Sequence, residues 1–143
     1  MSVTSISIVG SFRRHYHQVV AAAEVFELAG ISVRSPSVSR IVNPGEDYVR
    51  FESDPPTCSD LTIQRATLGK ILTSDVVYVV SPGGYIGRTT SYELGRVHQC
   101  GIPVYFSEPP LDLPIEVDQD AVTEPEALAR LLSSKARIGV MVS

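Results

Sequence analysis

Apolar residues follow two alternating patterns along this chain: short β-rich runs, and stretches in which they recur every three or four residues. The short runs end at glycine, proline or serine, which is typical of strands, and the run 75–80 is continuous enough to be buried on both faces of a sheet. The spaced stretches predict amphipathic helices. The predicted strands cover 5–9, 31–35, 75–80, 102–106 and 138–142, and the predicted helices cover 13–29, the segment from 59 or 60 to about 72, about 90–99, and a last segment from about 123.

Strands that alternate with helices indicate an α/β protein, in which right-handed crossovers place helices on both faces of a parallel sheet. We expect residues 1–143 to form one domain, a flavodoxin-like or Rossmann-like three-layer sandwich with a five-stranded parallel sheet. In that arrangement the first and third strands are neighbours, and ligands bind beyond their carboxyl ends. The loops that follow these two strands are therefore predicted to converge on one crevice.

Both of these loops carry glycines. The first is Gly10-Ser11-Phe12-Arg13-Arg14, and the second covers 81–88 and contains Gly83, Gly84 and Gly87. A glycine-rich loop ahead of a helix brings backbone N–H groups to a phosphate or a sugar hydroxyl, although glycines also serve tight turns alone. Arg13 lies near a helix start, where a cation opposes the helix dipole, and this favours an anionic ligand.

Glu93 lies one turn into the helix that follows the second loop. Beside a phosphate or sugar site, a carboxylate can attack an electron-poor carbon. The run Thr90-Ser91-Tyr92-Glu93 also matches the capping-box pattern, in which Glu93 bonds the backbone N–H of Thr90. The sequence leaves both interpretations open, and the convergence of the two loops favours catalysis.

Charge and composition argue against several classes of partner. The formal net charge of −4 and the pI near 5.3 argue against a nucleic acid or an anionic membrane as the main partner. No apolar run approaches the ~20 residues of a membrane span, and no signal peptide is apparent. With two cysteines that lack metal-site spacing, we expect a reduced, cytoplasmic protein in which Cys100 is a small core residue. We expect His15 and His17 to be solvated, so no metal site is predicted.

Two long segments lack a firm pattern. Residues 37–58 are predicted to be a loop, of a length that is usually functional or partly ordered by a partner. Residues 108–120 contain five carboxylates and three prolines, which predicts a solvated loop.

Two blocks of the sequence match the motifs of a known family. The first is Ile8-Val9-Gly10-Ser11-Phe12-Arg13, and the second runs from 74 to 96, contains Tyr92-Glu93-Leu94-Gly95, and is followed by Gly101-Ile102-Pro103-Val104-Tyr105. In both blocks the chain resembles the nucleoside 2-deoxyribosyltransferase-like superfamily, which includes the 2′-deoxynucleoside 5′-monophosphate N-glycosidases. The resemblance implies that Glu93 is the nucleophile that takes the sugar from the base, without a metal or redox cofactor. It implies a homo-oligomer, a nucleoside or nucleotide as substrate, and substrate contacts from Gly10, Ser11, Phe12, Arg13, Gly83, Gly84, Gly87 and Thr89.

One position departs from that family. Thr67 stands where the family has an Asp that helps the leaving base or holds the sugar. Because two-carboxylate glycoside chemistry needs a second group, Glu52, Asp54 and Asp60 are the candidates to replace it. Two other functions stay open: a nucleotide sensor without catalysis, and a phosphoribohydrolase of the cytokinin-activating type, whose loop resembles Pro82-Gly83-Gly84.

Overall fold

A parallel sheet with strand order β2-β1-β3-β4 lies at the centre of the structure. The computed structural model describes residues 4–36, 57 and 59–142, and for 135–142 the backbone alone, so most of the predicted loop over 37–58 lies outside the described residues. The strands are β1 (Ser5–Gly10), β2 (Ser32–Ser35), β3 (Val76–Val80) and β4 (Val104–Phe106). The first and third strands are neighbours, which confirms the predicted switch point.

Helices cover both faces of this sheet. In the described ranges they are α1 (Phe12–Leu28), α2 (Asp60–Leu72), α3 (Arg88–Gln99) and α4 (Pro125–Val142), with short 3₁₀ turns at Pro82–Gly84 and Gln119–Ala121. Ser59 is the N-cap of α2, one of the two predicted candidates, because its hydroxyl accepts a hydrogen bond from the backbone N–H of Thr62 at 3.2 Å. No helix within these ranges is long and apolar enough to cross a membrane.

Alternate residues of β3 divide the core into two layers, because successive side chains of a strand point to opposite faces. Tyr78 belongs to the cluster under α1 and α4, where its ring packs edge-on against Phe26 at 5.5 Å between centroids. Val77 and Val79 belong to the cluster under α2 and α3. All five residues of β3 are buried, as its continuous apolar pattern predicts.

The register between β1 and β3 is held at their amino ends by Ser5 and Asp75. A carboxylate oxygen of Asp75 accepts hydrogen bonds from the backbone N–H and the hydroxyl of Ser5, at 2.8 and 3.1 Å. In return, the backbone N–H of Asp75 donates to the Ser5 hydroxyl at 3.0 Å. The strands then pair residue by residue, so Gly10 and Val80 come out opposite each other at the carboxyl edge.

The predicted fifth strand over 138–142 is wrong, because these residues continue helix α4. The helix has already begun at Pro125, and Leu128 and Leu132, four residues apart, pack on the α1 side of the sheet. A short alternating run at the end of such a helix does not stop it. At the edge of the sheet next to β4, where a fifth strand would lie, the described residues form one isolated parallel bridge, between Phe106 and Val122. The chain then crosses to α4.

The expected place of Cys100 in the core is also wrong, because its side chain is exposed. Cys100 is the C-cap residue of α3, beyond the last buried position of that helix at Val97. Gly101, with a φ of +71°, then turns the chain towards β4. The helical spacing of the sequence continues one turn further than the contact between α3 and the sheet.

Candidate active site at the carboxyl edge of the sheet

The two glycine loops start from adjacent residues, as the predicted topology requires. Gly10 ends β1 opposite Val80, and a Cβ on Gly10 would lie 2.8 Å from the Val80 carbonyl oxygen, so a side chain does not fit there. From this point α1 leaves over one face of the sheet and α3 over the other. The loops therefore lie together at the switch point, the place where open α/β sheets bind their ligands.

The first loop turns directly into α1. The hydroxyl of Ser11 accepts a hydrogen bond from the backbone N–H of Arg14 at 3.3 Å and thereby caps the helix. Phe12 is partly buried against the core cluster under α1, whereas Arg13 is exposed on the first helical turn. These predicted site residues, with Gly10, form a continuous segment at the carboxyl edge that carries at least one exposed guanidinium.

Tyr85 of the second loop contacts the first loop. The guanidinium of Arg14 lies over the Tyr85 ring, with 4.1 Å from its carbon to the ring centroid. The imidazole of His15 meets the same ring edge-on, at 6.0 Å between centroids and 71° between planes. Sequence reasoning did not single out Tyr85, although an aromatic residue among three glycines is a signal that could have found it.

His15 is partly buried, which differs from the expectation that it is solvated. Its Nδ1 is buried and has no hydrogen-bond partner among the described residues. Burial lowers the pKa of the imidazole and the positive charge of Arg14 lowers it further, while the carboxylate of Glu108 acts in the opposite direction. His15 therefore favours the neutral form. In the residues described, no three His, Cys, Asp or Glu side chains are grouped to hold a metal ion.

The first backbone N–H groups of the glycine loop are already engaged. The N–H of Gly83 donates to a carboxylate oxygen of Glu108 at 3.1 Å, and the N–H of Gly84 donates to the carbonyl of Ser81 at 2.9 Å. Positive φ values at Gly83, Gly84 and Gly87 (+66°, +82° and +90°) allow this tight path. At Gly83 the loop thus binds the carboxylate of Glu108 from its own chain. Its later residues lead into α3, whose N-cap is Gly87.

Glu108 is a second residue that sequence reasoning missed, because 108–120 was predicted as a solvated loop. Ser81 anchors it: the Ser81 hydroxyl donates to the Glu108 carbonyl at 2.8 Å, and the Ser81 backbone N–H donates to the hydroxyl of Ser107. Its position just after β4 could have indicated a place at the site, since parallel strands bring their carboxyl ends to the same edge of the sheet. Glu108 therefore places a carboxylate against the glycine loop at the carboxyl edge of the sheet.

Helix α3 begins earlier than predicted, and this overturns the capping interpretation of Glu93. The N-cap is Gly87, which has no side chain to cap the helix, and Thr90 is a buried residue inside the first turn. Glu93 is consequently too far along the helix to bond the N-cap in a capping box. Thr89 is half-buried on the first turn, where the backbone N–H groups of a helix attract anions.

Glu93 lies on the face of α3 that is directed into the protein, together with Thr90, Leu94 and Val97. Glu93 is 9% exposed, and no hydrogen-bonding or charged group among the described residues contributes to the shift of its pKa. Desolvation raises the pKa of Glu93 from 4.5 to about 7. A carboxyl group poised near neutral pH can act as a nucleophile when ionised or as an acid when protonated.

Thr67 lies on α2 between Ile63 and Ile71, each one helical turn away, so it shares their inward face. It is half-buried and carries no acid. Of the proposed replacements, Asp60 is exposed in the first turn of α2, while Glu52 and Asp54 lie outside the described residues. The described part of the site therefore contains two carboxylates at different places, Glu93 within α3 and Glu108 after β4.

Replacing Gly84 tests the packing of the glycine loop. A Cβ on Gly84 would lie 2.5 Å from Leu111 Cγ and 2.7 Å from the carbonyl oxygen of Pro109. Gly30→Ala is the matched control, because Gly30 has a similar φ of +79° but open space around it. We expect Gly30→Ala to lower the free energy of unfolding by about 1–2 kcal/mol through backbone strain. Gly84→Ala should lower it by about 1–3 kcal/mol more through overpacking, measured by urea denaturation. Equal losses would contradict the close approach of 109–111.

The raised pKa of Glu93 predicts a pH-dependent destabilisation. Between pH 4.5 and about 7 the folded protein holds a proton that the unfolded chain releases, so the free energy of unfolding falls as pH rises through this window. At pH 8 the buried charge costs on the order of 3 kcal/mol, at about 1.4 kcal/mol per tenfold change in proton affinity.

Glu93→Gln removes that charge while keeping the shape of the side chain. We expect it to raise the melting temperature at pH 8 relative to the native protein and to lose this advantage at pH 4. Glu24→Gln, at an exposed position of α1, should change neither. A Glu93→Gln variant that melts at the same temperature as the native protein at pH 8 would show that the carboxylate is solvated.

No family model matches the chain, and no curated protein matches its sequence. The crystal structure of a conserved protein from Enterococcus faecalis V583 has a similar fold, with a TM-score of 0.61 and 16% sequence identity. The match covers 94% of this chain and 99% of that chain. At this identity the similarity concerns the fold alone and agrees with an α/β protein built on a parallel sheet. The superfamily, the homo-oligomer and the cytoplasmic location stay predictions.

Proposed function

We propose that this protein cleaves or transfers the N-glycosidic bond of a (deoxy)nucleoside or its 5′-monophosphate, with Glu93 as nucleophile. The observation that carries the proposal is the largely buried side chain of Glu93, whose pKa is raised by desolvation alone, five residues beyond the start of α3. A structural carboxylate in such a place would be paired, because an unpaired buried charge is destabilising. A destabilising group retained beside a crevice supports a chemical role.

In the proposed reaction the ionised carboxylate of Glu93 attacks C1′ of the sugar. The bond between C1′ and the base nitrogen breaks, and its electron pair leaves with the base. The product is a glycosyl ester on Glu93, which water hydrolyses or a second base resolves. The desolvated environment of Glu93 suits this role, because a poorly solvated carboxylate is held ready to lose its charge to a new bond.

The loops are assigned to substrate binding. Gly10, Ser11, Phe12 and Arg13 would orient the sugar or a 5′-phosphate, for which an exposed arginine beside a helix N-terminus is suited. The backbone of Gly83, Gly84, Gly87 and Thr89 would line the other wall of the pocket. Glu108 gives that wall a resident negative charge, so the anionic end of a substrate should lie on the arginine side.

The leaving base needs a proton that Thr67 cannot supply. In this scheme the proton comes from solvent or from Glu52, Asp54 or Asp60. A specific observation favours a second function: Thr67, which carries no acid, lies on the inward face of α2 where the resemblance implies an Asp. The alternative is therefore a sensor that binds a nucleotide and does not cleave it.

Base release from 2′-deoxynucleoside 5′-monophosphates and from free nucleosides tests the proposal. We expect kcat/KM to rise as pH increases through about 7, because the nucleophile must be ionised. Glu93→Gln should reduce base release on the order of 10³-fold or more while still binding the substrate, and Glu24→Gln should match the native protein. Tight nucleotide binding without base release by the native protein would establish the sensor instead. Native-like activity in Glu93→Gln would exclude the mechanism.

A further inference from the structure

The ring of Tyr85 contacts groups from the first turn of α1 and from its own glycine loop. One contact is the Arg14 guanidinium, 4.1 Å from the ring centroid, and another is the edge-on imidazole of His15. On its own loop the ring approaches Gly87, where a Cβ would lie 3.4 Å from Tyr85 Cε1 and 3.5 Å from its hydroxyl oxygen. The backbone just before α3 therefore runs close against the ring, at a position where glycine leaves it room.

Beyond the last pair of the two strands, Gly10 and Val80, the loops are not joined by main-chain hydrogen bonds among the described residues. The side-chain contacts of Tyr85 thus provide a link between the start of α1 and the start of α3. His15 departs from helical geometry at the same place, with φ −127° and ψ 29°, so α1 is kinked where it meets the ring.

We propose that Tyr85 is a positioning residue that fixes the glycine loop, and with it the start of α3, against the first turn of α1. It acts through Arg14 and His15 and sets the distance between the sugar-binding segment 10–13 and the helix that carries Glu93. This inference rests on the proposed function for its effect on catalysis, but the link itself is a property of the fold that can be measured without substrate. The aromatic ring carries the effect, whereas the Tyr85 hydroxyl donates no hydrogen bond to a described residue.

His15 reports on this link directly. Its Nδ1 is buried beside the ring, and burial is the largest of the effects that lower its pKa. Loss of the ring should therefore admit water to the imidazole and raise its pKa towards the ordinary value of 6.5. Removing the ring also frees the Arg14 guanidinium that stacks on it, and movement of this positive charge away from the imidazole would raise the His15 pKa in the same direction as hydration.

The first experiment is an NMR titration of the histidine ring protons in the native protein and in Tyr85→Phe, Tyr85→Leu and Tyr85→Ala. His17 and His98, both exposed, serve as internal controls, and His15→Gln identifies the His15 signal. We expect the pKa of His15 to lie below its ordinary value of 6.5 in the native protein and in Tyr85→Phe. It should move upward in Tyr85→Leu and Tyr85→Ala, with His17 and His98 unchanged. Tyr85→Leu keeps apolar bulk, so it preserves the test if Tyr85→Ala does not fold.

The second experiment measures steady-state base release from a 2′-deoxynucleoside 5′-monophosphate. Tyr85→Leu should raise KM about tenfold with a smaller change in kcat, and Tyr85→Phe should restore KM to within about twofold of native. If the native protein binds the nucleotide without cleaving it, the catalytic proposal fails. The positioning role of Tyr85 is then tested by comparing Kd, instead of KM, among the same variants. The positioning role is overturned if the His15 titration is the same in all variants, or if Tyr85→Phe is impaired as much as Tyr85→Leu.

Discussion

The pairing of β1 with β3 is the interaction on which the candidate site depends. Hydrogen bonds between Ser5 and Asp75 set the register at the amino ends, and the strands then run in step to Gly10 and Val80. Because Gly10 has no side chain, it can lie against the carbonyl of Val80, and both loops leave the sheet at one point. A slip of one residue would separate the loops and reverse the faces of every side chain in the strand.

Desolvation of Glu93 connects this scaffold to chemistry. The side chain of Glu93 is largely buried on α3, and desolvation raises its pKa to about 7, so the free energy of unfolding falls towards alkaline pH. The same low-polarity surroundings make the ionised group reactive towards an electron-poor carbon. Stability is lost at the position where function is proposed, a common relation between active sites and the folds that carry them.

Much of the fold could be predicted because it follows from local pattern. The buried run of β3, the cap at Ser59 and the neighbouring first and third strands are confirmed. The fifth strand was wrong because a short alternating run does not reveal that a helix is already under way, and Cys100 was wrong because spacing does not show where a helix leaves the sheet. At the site, the contacts of Tyr85, His15 and Glu108 join residues far apart in sequence, which no local pattern encodes.

The central claim is that Glu93 forms a covalent bond to the sugar. The most direct measurement is mass spectrometry of peptides from the protein, quenched in acid during reaction with a 2′-fluorinated nucleoside 5′-monophosphate, whose fluorine slows breakdown of the glycosyl ester. We expect a sugar-phosphate adduct on the peptide that contains Glu93, formed as one equivalent of base is released, and no adduct in Glu93→Gln. Base release by the native protein with no adduct, or with an adduct on another residue, would contradict the account.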